Sequence, residues 1–204
     1  MAAARSNRSV QALLLFLALT TATVTGVQQL SSAERVDQAT AKLVTQMVPR
    51  YHSNGPQRDD AASSALLDNY LKAIEPLHLY CLKSDYDALA KFRTSLDDQL
   101  RAGDVSFGYQ VYQLFKQRVH ERCTKAHELI DGEFNFTDDE TKAADYTKLD
   151  WAASADELTE RWRKLIEYEL VLAKLDGEDL AKNREDQHKR YRNIQRMVDQ
   201  RDDL

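Results

Sequence analysis

The chain has 204 residues, 30% of them charged and 43% apolar, which suits one ordinary globular domain and is too apolar for a disordered chain. Only six glycines and three prolines occur, too few for the many tight turns of an all-β fold. A net charge of -5 argues against a nucleic-acid binder, which needs a concentrated basic surface.

Arg5 and Arg8 precede the apolar run from Ala12 to Leu19, and small residues lead to Val24, Thr25 and Gly26. A positive start, a short apolar core and small residues at the last and third-last positions describe a secretory signal peptide over residues 1–26. The apolar run falls well short of the roughly 20 residues that span a bilayer, so no stable membrane span is expected after cleavage. The expected location is outside the cytoplasm. Cys81 and Cys123, the only cysteines, then meet an oxidising compartment, where they either pair or stay as two buried small hydrophobes.

From residue 27 onward the pattern is helical. Ser31 and Glu34 form a capping box, followed by Val36, Leu43, Val44, Met47 and Val48 at helical spacing up to Pro49. A polar loop separates Tyr51 from Asp60. The next helix carries Leu66, Leu67, Tyr70, Leu71 and Ile74 and closes at Pro76. Residues 77–82 are apolar but too short for a helix, and read as an extended connector packed inward. A cap at residues 84–87 opens a single helix bearing Leu89, Phe92, Leu96 and Leu100, which ends at Gly103.

The longest helix is expected from Ser106 to Asp131, with Val111, Phe115, Val119, Cys123, Ala126 and Ile130 on one side. Thr137, Asp138, Asp139 and Glu140 have the pattern of another helix start, where acids favour the dipole, so they are not read as a calcium or acid–base site. Ser154 and Glu157 repeat the capping box ahead of Leu158, Trp162, Leu165, Ile166 and Leu172, up to Gly177. Residues 178–204 show only a thin stripe of Leu180, Tyr191, Ile194, Met197 and Val198, so this helix is expected to bury itself poorly and to await a partner. The fold class is therefore all-α, an irregular domain of about six helices with short extended connectors.

No phosphate-binding glycine loop, nucleophile elbow, HExxH or CxxC pair occurs. His120, Cys123 and His127 share a helical face at zinc-compatible spacing, but no fourth ligand is identifiable and Cys123 lies in the apolar stripe. No catalytic, cofactor-binding or metal-binding residue is assigned, and no cofactor is expected.

Several segments in order carry a family resemblance: residues 67–71, residues 79–85, and residues 96–104 with the sequence LDDQLRAGD. Phe134-Asn135-Phe136-Thr137-Asp138-Asp139-Glu140 is similar to an FDFTxDE segment, and the likeness continues through Glu157-Leu158, Trp162-Arg163, residues 170–174 and Lys189-Arg190-Tyr191. Over about residues 32–204 the chain resembles the N-terminal region of tail-specific proteases, the exported C-terminal processing peptidases. The resemblance implies a serine-type endopeptidase whose PDZ domain and Ser–Lys protease domain would follow residue 204. No serine or lysine of this chain inherits a catalytic role from it. Its expected partners are the remainder of the protease, with its PDZ and peptidase domains, or an adaptor protein, and protein substrates are reached through the full enzyme. A standalone secreted helical module that binds proteins is the competing expectation.

Overall fold

A computed structural model describes residues 32–51, 60–137 and 140–200. The expected signal peptide, Ser31 of the first capping box, the loop at 52–59, Asp138 and Asp139, and residues 201–204 lie outside the described residues. Contacts are described within the unit Ala33–Leu204. Among the described residues the chain is all-α, with helices α1 (Ser32–Tyr51), α2 (Asp60–Ile74), α3 (Lys83–Leu89), α4 (Leu96–Ala102), α5 (Ser106–Ile130), α6 (Ala155–Leu175) and α7 (Leu180–Gln200). Short 3-10 turns occupy Ala90–Phe92 and Tyr146–Lys148.

The seventh helix arises where one was expected from residue 84 to Gly103. That stretch is broken into α3, a 3-10 turn and α4 by contacts from α2. Ser63 is fully buried, and its hydroxyl accepts the Leu96 N–H at 2.7 Å and the Asp97 N–H at 3.4 Å. A side chain from another helix thus caps α4, which local sequence cannot announce. At the break, the Arg93 guanidinium donates to both oxygens of Asp68, to Ser64 and to the Tyr86 hydroxyl. The expected stop at Gly103 is present: its φ of 80° needs glycine, and the Asp104 N–H returns to the Gln99 carbonyl at 2.8 Å.

Two apolar cores form, and α5 runs through both. Leu67, Leu71, Leu89, Leu96, Phe107 and Val111 make the smaller one from α2, α3, α4 and the start of α5. The larger joins α5, α6 and α7 through Val119, Cys123, Ala126, Ile130, Leu158, Trp162, Ile166, Leu170 and Tyr191. Ser154 caps α6 as expected, accepting the Glu157 N–H at 3.1 Å, while the Glu157 carboxylate accepts the Ala153 N–H at 2.9 Å. The helix start expected at Thr137–Glu140 falls partly on Asp138 and Asp139, outside the described residues. Residues 140–145 are irregular, and Glu140 is drawn instead into an ion pair with Arg163 of α6. The thin stripe of the last helix also proves sufficient. Tyr191 is buried between His127 and Trp162, and the Tyr112 hydroxyl donates to the Val198 carbonyl, so the partner that α7 required is α5.

Residues 77–82, expected as an extended connector packed inward, join α2 to α3 through a turn and bends and pack against the larger core. Leu79 is buried, Leu82 forms a parallel bridge with Ala152, and the Lys83 N–H donates to the Ala152 carbonyl at 2.9 Å. The indole N–H of Trp162 donates to the Leu79 carbonyl at 2.5 Å. Buried Glu75 turns its carboxylate onto the N–H groups of Tyr80 and Cys81, and burial raises its pKa despite those bonds. Asp85 accepts the Leu82 N–H at 2.9 Å and pairs with Arg118 of α5 through two bonds of 2.9 and 2.8 Å.

Two stability predictions follow from this junction. Trp162→Phe keeps the ring but orphans a buried carbonyl, so urea denaturation should show a loss of about 1–3 kcal/mol without a change of fold by circular dichroism. Arg118→Met strands the buried Asp85 carboxylate and should cost about 3 kcal/mol. The double variant Asp85→Asn/Arg118→Met should lose less than the sum of the single losses. Strict additivity would show that the pair does not join the cores.

Candidate functional site

The three residues singled out for metal binding do share α5, but their partners pull them apart. Cys123 is fully buried in the larger core, where burial pushes its thiol up to about 11. The His120 Nε2 lies 2.9 Å from an Asp199 carboxylate oxygen, and the His127 Nδ1 lies 2.6 Å from the His188 Nδ1. Among the described residues no group of three or more His, Cys, Asp or Glu side chains could hold a metal ion. Cys81 and Cys123 are both free thiols, Cys81 half-buried and Cys123 buried. Burial, and then Glu75 beside it, push the Cys81 thiol far above its ordinary range, so it is a poor nucleophile.

Two surface features remain that could bind another molecule. The first is an open groove of about 580 Å³ between α2 and the segment leading to Trp151, lined by Asp68, Lys72, His78, Tyr86, Asp150 and Trp151 among others. The Trp151 ring stacks on His78 at 4.0 Å and on Tyr86 at 5.9 Å. His78 is held at a φ of 51°, which costs a non-glycine residue free energy. Its Nδ1 meets the Leu149 carbonyl at 2.5 Å, and because a carbonyl can only accept, that nitrogen carries the hydrogen. The Asp68 carboxyl is held below its ordinary value by Arg93. No serine or cysteine lines the groove, and the Thr147 hydroxyl is engaged with Asp145 at 2.6 Å. Such a surface, with an aromatic wall and charged side chains of both signs, can hold a ligand.

The second feature is α1, which is turned the unexpected way round. Its half-buried side presents Glu34, Gln38, Ala41 and Thr45. Its apolar stripe faces outward, with Val36 at 63%, Leu43 at 56%, Val44 at 50% and Met47 at 44% exposure. Helical periodicity locates such a stripe but cannot say which side faces the body. One polar contact from this helix to the body is the Tyr109 hydroxyl donating to Asp37 at 2.7 Å.

Sequence reasoning missed Glu75, Asp85 and Arg118 as organising residues, and missed His188. The faint signal for Glu75 was an acid directly before a helix-ending proline. Nothing local marked His188, whose meaning depends on a residue 61 positions away. Among the described residues no helix is long and apolar enough to cross a membrane.

Residues 43–203 match the family described as the tail specific protease N-terminal domain. A tail-specific protease of Haemophilus influenzae is 27% identical over 155 residues, which cover 76% of this chain and 22% of that relative. The chain thus spans about a fifth of the relative's length. With most of its helical body inside the matched region, this chain belongs to the tail-specific protease N-terminal domain family.

Proposed function

We propose that this chain serves as the non-catalytic N-terminal scaffold of an exported tail-specific serine protease, and takes part in proteolysis only together with the remainder of that enzyme. The observation that carries the reading is the family match over residues 43–203, joined to a relative named a tail-specific protease whose length is more than four times the match. Export to a periplasm is supported by Arg5, Arg8, the apolar run from Ala12 to Leu19 and the small residues that follow. The outward stripe of α1 supports an interacting role, since contiguous exposed apolar side chains mark contact surfaces. The PDZ and peptidase parts of the enzyme are the proposed partners, and an adaptor protein is the other. Substrates are proteins reached through the whole enzyme.

The purified chain should fold, yet neither cleave protein substrates nor be labelled by a serine-directed reagent. Labelling or hydrolysis above a buffer control would overturn the non-catalytic assignment. Added to a protease part lacking this domain, the chain should form a complex that Leu43→Asp weakens about tenfold or more, by the burial of one large apolar side chain. Equal binding by the variant would remove α1 from the contact, and absence of any complex would favour the standalone module.

A further inference from the structure

Helices α5 and α7 meet through two histidine contacts whose responses to a proton are opposite in sign. At one end His127 and His188 face each other, Nδ1 to Nδ1 at 2.6 Å, with the rings nearly parallel at 4.9 Å between centroids. One nitrogen must carry the hydrogen and the other must accept it, so the contact holds with one proton between the two atoms and fails with two. The His188 Nε2 lies 2.9 Å from an Asp131 oxygen, which lets His188 be the ring that donates, even as an imidazolium. His127 is then the acceptor. The charges acting on it are His188 and Arg192 from α7, which oppose a second proton, and Asp131 from α5, which favours one. Burial also opposes it, and is the largest influence holding the His127 pKa below its ordinary value.

About 11 residues further along α7 the polarity reverses. The His120 Nε2 lies 2.9 Å from Asp199, which Lys116 also approaches at 3.2 Å. Protonating His120 turns a hydrogen bond into an ion pair and strengthens the contact. The two contacts are about 16 Å apart along the helix at 1.5 Å per residue, so they act on different turns.

We propose that this histidine arrangement is a proton-driven lever: acidification releases the first half of α7 from α5 at His127–His188 while holding its last turns at His120–Asp199. A group whose folded pKa is depressed contributes stability above its unfolded pKa and loses it as pH falls through the folded one. For His127 that loss begins near pH 6.5, the ordinary imidazole value, and deepens below it, above the range where ordinary carboxylates titrate. Buried Gln187 adds to the weakness of the first half, because its Oε1 has no protein hydrogen-bond partner.

Site-resolved hydrogen exchange on the intact chain tests this. Between pH 7.5 and 5.0, protection factors corrected for intrinsic exchange should fall about tenfold or more for amides 185–192. Those of residues 196–200 and of α6 should hold or rise. His127→Gln should remove the fall, and His120→Gln should remove any rise near residue 199. A uniform fall along α5, α6 and α7, or the same fall in His127→Gln, overturns the proposal. Should that variant not fold, NMR titration of the wild-type rings decides: His127 should take its proton only below the ordinary imidazole value, and independent uptake by both rings at about that value also overturns it.

Discussion

The constraint on which the fold depends is the placement of a non-helical segment inside a helical protein. Residues 75–82 leave α2 and carry Leu79 into the larger core, where buried backbone N–H and C=O groups cannot turn to water. Those groups need partners, some near in the chain and some more than 60 residues away. Glu75 covers Tyr80 and Cys81, Trp162 covers Leu79, Asp85 covers Leu82, and Ala152 covers Lys83. The positions of α6 and of the segment before it are thereby tied to the connector. Arg118 then ties Asp85 to α5, the helix common to both cores.

That arrangement explains which parts of the fold were legible in the sequence. Where a helix carries its own punctuation, as α6 does with Ser154, Glu157 and Gly177, or α5 with Gly132 beyond its end, its extent could be read directly. The 84–103 stretch shows the limit of such reading. Its apolar spacing is continuous, and only Ser63 and Asp68 on another helix break it. At Thr137–Glu140 the reverse holds, since a helix-start pattern was present but Glu140 found a better partner in Arg163. The last helix was underrated because a stripe was judged by its width. One tyrosine set between Trp162 and His127, with charged flanks satisfied by pairs such as Arg190–Glu169, anchors a helix of modest apolar content.

Of the candidate site, periodicity made legible which residues share a helical face. The His120, Cys123 and His127 spacing was real as a helical face, yet the face is curved enough that Cys123 enters the core while the histidines flank it. Periodicity places residues on a face, and packing against α7 decides what each one meets. The groove beside Trp151 could not be foreseen at all, because His78, Tyr86 and Trp151 converge from segments separated by as many as 73 positions.

The orientation of α1 carries the argument about function one step further. Leaving a large aliphatic side chain in water forgoes about 1.5–3 kcal/mol relative to burying it, and α1 exposes four such side chains in a row along one face. The Tyr109 hydroxyl donates to Asp37, and the Lys42 side chain passes over Gly103. A helix that presents its apolar side outward leaves that side for a second surface. That arrangement agrees with a module whose work lies in contact with the rest of a larger enzyme, and it locates the residues through which that contact is proposed to be made.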